Sequence, residues 1–65
     1  MSSLYTFYSY DADGVPTAMQ TAALASDAAA AEYAERVLAE HLSAAYVLVC
    51  EAERQVAERH RTAVA

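Results

Sequence analysis

The stretch "YVLVCEAERQVAERHR", Tyr46 to Arg61, decides how this chain folds, because its two halves carry opposite signals. Tyr46-Val47-Leu48-Val49-Cys50 is apolar throughout and β-branched at alternate positions, the pattern of a central strand covered on both faces. Read that way, Glu51-Ala52-Glu53-Arg54 is a turn and Gln55 to Arg61 a fourth strand. The competing reading is a helix from about Ala44 to Arg61. It rests on the helix propensity of Glu51 to Gln55 and on the heptad spacing of Val49, Val56 and Ala63. The turn contains neither Gly nor Asn, which counts against a hairpin. Propensity alone leaves the two readings even.

Working back toward the N-terminus, the signals become clearer. Ser26-Asp27 opens a helix: the serine accepts from the first free amides, and an acid in the first turn complements the positive end of the dipole. From there to about Leu42, Ala30, Tyr33, Ala34, Val37, Leu38 and His41 recur at spacings of three and four, one apolar stripe. Glu32 and Arg36 are spaced for an ion pair on the outer face, which also carries Glu35 and Glu40. Further back, "LYTFYSYDADG", Leu4 to Gly14, places four of the six aromatic residues within six positions. Leu4 to Asp11 suits a strand. Asp11-Ala12-Asp13-Gly14 reads as a tight turn in which Gly14 takes the positive φ of a G1 bulge. Pro16 follows, so the second strand, about Thr17 to Ala23, belongs at an edge where no ladder donor is needed.

The segments "YTFYSYDADG" (5–14), "SDAAAAEYAERVLAEH" (26–41) and "YVLVCEAERQVAER" (46–59) together resemble a group of small ββαββ proteins common in alphaproteobacteria, a domain of unknown function. The resemblance spans nearly the whole chain. It implies strands rather than a helix after Ser43 and brings no activity or catalytic residue with it. The expectation is therefore an α+β fold: one domain over residues 1–65, a four-stranded antiparallel sheet in the order 2-1-3-4, and one helix on one face. The alternative is an N-terminal β-hairpin followed by two helices.

Side chains alternate across a sheet, so both faces of this one are apolar. Tyr5, Phe7, Val47, Val49 and Val56 are expected under the helix stripe. That leaves Tyr8, Tyr10, Tyr46, Leu48 and Cys50 on the other face with no cover, and a patch of that kind marks an interface. A register slip of one residue exchanges the faces without removing the surplus.

Size sharpens the point. Of the 65 residues 57% are hydrophobic, but 17 are Ala, and the large aliphatics reduce to five Leu and six Val. A core this small is marginal and calls for a staple or a second subunit. Cys50 is the only cysteine, so no internal disulfide forms. Oligomerisation, a dimer, is the remaining expectation. A lone thiol and an N-terminus without a basic or long apolar region point to the cytoplasm. No apolar run approaches the roughly 18 to 20 residues that cross a bilayer, so no membrane partner is expected.

The net charge is −5 with no lysine. Residues 54 to 65 run against the trend with Arg54, Arg59 and Arg61, and with His60 they could touch phosphates while Tyr8 and Tyr10 stack on bases. The acidic body argues against nucleic-acid binding as the main role. His41, Cys50 and His60 lack metal-ligand spacing. No base lies near a Ser or Cys nucleophile. The pairs Asp11/Asp13, Glu32/Glu35 and Glu51/Glu53 read as turn chemistry or solvated faces, and one glycine cannot make a phosphate cradle. Catalytic, cofactor-binding and metal residues are accordingly expected to be none, and no cofactor is implied. What remains is a non-enzymatic protein-interaction module that self-associates through the open face. It could also act as an acidic inhibitor or adaptor of a basic protein partner. The alternative is a small-ligand-binding protein or minor enzyme with a Tyr-lined groove between subunits, His41 or His60 at its edge.

Overall fold

The computed structural model describes residues 2–61. The elements run β1 (Ser3–Tyr10), β2 (Pro16–Leu24), α1 (Asp27–Glu40), β3 (Tyr46–Glu51) and β4 (Arg54–His60). The strands form one antiparallel sheet in the order β2-β1-β3-β4 with the helix on one face, an α+β fold in ββαββ order. Residues 46 to 60 are thus a hairpin and not a second helix. Ala63, the third member of the heptad spacing, lies outside the described residues.

The first hairpin closes as its spelling predicts. The Asp11 carboxylate accepts from the Asp13 and Val15 N–H groups at 2.9 Å each. Gly14 N–H donates to the Asp11 carbonyl and Asp11 N–H to that of Val15, both at 3.0 Å. With Gly14 at φ +81° this is a loop with a G1 bulge. A second irregularity follows: Ser9 faces Ala18 and Tyr10 faces Pro16, so Thr17 is the extra residue, and its hydroxyl donates to the Ser9 carbonyl at 3.3 Å.

The helix starts where Ser26 Oγ accepts from Ala29 N–H at 3.1 Å. It buries Ala30, Ala34, Val37 and Leu38 against Tyr5 and Phe7 of β1, Val47 and Val49 of β3, and Ala44. Small residues on the helix let it sit close to the sheet. Tyr33 packs its ring against Phe7 with centroids 4.7 Å apart. Glu32 and Arg36 line a shallow surface hollow without closing the ion pair their spacing allows. The helix stops at Glu40, short of Leu42, which is exposed, because the chain must turn there to bring Ala44 into the core. Its last turn holds no basic residue. Arg61, arriving from the far end of β4, takes that role: Nε donates to the Ala44 carbonyl at 2.9 Å, and Nη2 donates to the carbonyls of His41, at 2.8 Å, and of Leu38.

The second hairpin is made without glycine. Glu51 faces Arg54 across a two-residue loop, and Ala52 stands at φ +54°. A bulge follows, where Val49 faces Ala57 but Cys50 faces Gln55. The extra residue is Val56, and the kink lets both Val56 and Ala57 lean on the core.

Candidate interaction surface on the open sheet face

The register assigns every strand side chain to one face. Phe7 lies between Gln20 and Val49, and Tyr8 between Met19 and Leu48. The face turned from the helix therefore carries Thr6, Tyr8 and Tyr10 of β1 beside Cys50, Leu48 and Tyr46 of β3. Tyr8, Tyr10, Tyr46, Leu48 and Cys50, the five residues singled out from the sequence, all lie there, each half-buried by its neighbours. Two more belong with them. Leu4 is 61% and Met19 65% exposed, and both sit at the margin of the patch. Met19 escaped the sequence reading because an uncharged edge strand has no pattern that fixes its register.

At one end of this face the rings are stacked in a row. Tyr10 and Tyr46 lie 4.9 Å apart with planes 13° from parallel, and His60 stacks on Tyr46 at 5.1 Å. His60 Nε2 also meets the carboxylate of Glu58, two residues back on the same strand face. Glu58 is the only carboxylate that the described strands place on this side. The helix acids Glu32, Glu35 and Glu40 lie across the sheet from it.

The titratable groups with distinct chemistry are on the other side. Arg54 grips Asp27 with both terminal nitrogens, at 2.9 and 3.1 Å, and reaches Glu51 as well. Asp27 also accepts from the Tyr5 hydroxyl at 2.8 Å. The Arg54 guanidinium, helped by the Tyr5 hydroxyl, holds the Asp27 carboxyl below its ordinary value. Glu51 is lowered by Arg54 and then by Ser3. Donating to Asp27 raises the Tyr5 phenol, and the same carboxylates raise Arg54. This cluster ties β1, α1, β3 and β4 together at one end of the molecule. It is a structural clasp, with every charge answered.

Arg54, Arg59, His60 and Arg61, which the sequence could have gathered into a phosphate-binding edge, are not gathered. Arg54 is committed to its two acids and Arg61 to the helix carbonyls. Arg59 belongs to the helix side of β4, whereas His60 lies on the open face with Tyr8 and Tyr10. His41 and His60 are likewise separated, since His41 ends the helix while His60 stacks on the opposite face. Among the described residues, no three His, Cys, Asp or Glu side chains come together as a metal would need. No helix there is long and apolar enough to cross a membrane. No family model matches the chain, and no curated protein or solved structure matches it.

Proposed function

We propose that this protein is a non-enzymatic interaction module that self-associates by stacking its open sheet face on that of a second copy. The observation that carries the reading is a charge-poor, aromatic face with no layer of described residues over it, on a chain of net charge −5. Two copies of an acidic protein can meet only where acids are scarce, and the open face is where they are scarce. Strands about 4.8 Å apart and roughly seven residues long give a face of about 19 by 23 Å. Stacking two such faces buries on the order of 1,000 Å², about the threshold for a biological interface and in the range of weak, reversible ones. Leu48 and Tyr8 at its centre would supply the anchors, and the tyrosine hydroxyls would remain wet at the rim. The lone, half-buried Cys50 thiol suits a reducing compartment, which supports a cytoplasmic setting.

Equilibrium sedimentation tests the reading. A species larger than the monomer is expected in the micromolar range, and Leu48→Lys should weaken it at least roughly tenfold by placing like charges face to face. A wild-type protein that stays monomeric and folded at high micromolar concentration overturns it. The stacked Tyr10, Tyr46 and His60 row supports one secondary reading, a flat platform for a small aromatic ligand between subunits. A thermal-shift screen of metabolites that yields no stabilisation removes that support.

A further inference from the structure

The two edges of the sheet are built differently. β4 is guarded, with Arg54, Glu58, Arg59 and His60 along it and a bulge at Val56, the devices that keep edge strands from pairing. β2 has none of these along its main run. From Thr17 to Leu24 it carries no charged side chain, its only proline is the first residue, and its one irregularity is confined to Thr17. The helix packs chiefly over β3 and β4, so nothing among the described residues shields this edge.

Which backbone groups of β2 face outward follows from β1. The Asp11 N–H donates to the Val15 carbonyl on the β2 side, and the Tyr10 carbonyl accepts from the N–H of Ala45, which leads into β3. Odd residues of β1 therefore bond toward β2 and even ones toward β3. Ala18, Gln20, Ala22 and Leu24, which face Ser9, Phe7, Tyr5 and Ser3, are bonded inward. Met19, Thr21 and Ala23 hold their N–H and C=O groups outward, with no partner among the described residues.

We propose that this edge pairs antiparallel with β2 of a second copy about a two-fold axis at Thr21, joining the two sheets into one. With that centre Thr21 meets its own counterpart and Met19 meets Ala23, so every outward donor finds an acceptor. Gln20 falls opposite Ala22 and Ala18 opposite Leu24, a larger residue against a smaller one each time. Thr against Thr is a favourable cross-strand pair. A second copy is the occupant the edge fits: the paired stretch Ala18 to Leu24 carries no charge, so two chains of net charge −5 can meet along it, and the two-fold closes it. Both ends of the joined sheet are then guarded β4 strands, so growth stops. The edge is a different surface from the open face, and both can be occupied at once, which gives a tetramer.

Amide hydrogen exchange and sedimentation together test this. In the folded Leu48→Lys protein, which disables the face, a dimer is expected. Its Met19, Thr21 and Ala23 amides should exchange at least roughly tenfold more slowly than in dilute monomer, while Gln20 and Ala22 stay protected at any concentration. Thr21→Pro removes an outward N–H without touching the ladder to β1, and should reduce the wild-type tetramer to a dimer. If Leu48→Lys gives a monomer with those three amides unprotected, the edge inference is wrong and the face reading stands. If Leu48→Lys leaves the mass unchanged with the amides protected, the face reading falls and the edge stands. A wild-type protein monomeric throughout overturns both.

Discussion

With φ at +54°, Ala52 holds a backbone shape that crowds its Cβ against the neighbouring carbonyl, and the two-residue loop between Glu51 and Arg54 leaves it little alternative. Glycine takes that shape without the crowding, so Ala52→Gly should stabilise the fold by about 1 kcal/mol, read as a higher urea midpoint. Gly14 is the converse case. At φ +81° the nearest atom a methyl would meet is the Tyr46 hydroxyl at 3.8 Å, so space is not the obstacle. Gly14→Ala should cost about 1–2 kcal/mol through backbone strain alone, seen as a lower Tm. Arg61→Met keeps the stem and removes the donors to the helix carbonyls. We expect a loss of about 1–2 kcal/mol, with amide exchange at His41 speeding first.

At the scale of elements, the clasp at Asp27 gives the fold a dependence on pH whose sign can be worked out. Asp27 and Glu51 titrate lower in the folded chain than in the unfolded one. Their contribution is full above about pH 5 and is lost as the pH falls through the folded values. Tyr5 titrates higher when folded, so its share is present below about pH 10 and fades as the pH climbs past the raised value. Urea unfolding at pH 7 and pH 3 should show the acid loss, and Asp27→Asn should shrink the difference between the two. The partners of Asp27 also explain what could be read in advance. Ser26, Asp27, the Asp11 to Gly14 turn and the two-residue period of β1 and β3 act locally, and each announced its element. The second hairpin did not. Its turn uses Ala52 where glycine is usual, and Arg54, which grips Glu51 beside the turn, also reaches Asp27, which is remote in sequence. The same holds for the surface. Tyr8, Tyr10, Tyr46, Leu48 and Cys50 follow from alternation, but Met19 and His60 join them only through pairings between strands.

Across the whole molecule, stability rests on few large side chains. Among the described residues Phe7, Val37, Val47 and Val49 are the fully buried bulky apolar groups, and three of the nine core residues are alanine. Phe7→Ala should cost about 3–5 kcal/mol, enough to unfold a domain of this size at ordinary temperature by circular dichroism. Arg61 adds a temporal aspect to this economy. The carbonyls of Leu38, in the last turn of α1, and of His41, at its C-cap, accept from a side chain met only after β4 has been laid down. During synthesis the helix end is therefore expected to lack this cap until the fourth strand has emerged and docked. A nascent chain halted in the loop at Glu53 should be readily cleaved by protease, whereas one extended far enough for Arg61 to clear the ribosome should resist it. That outcome would mark folding as a single late event rather than a stepwise one.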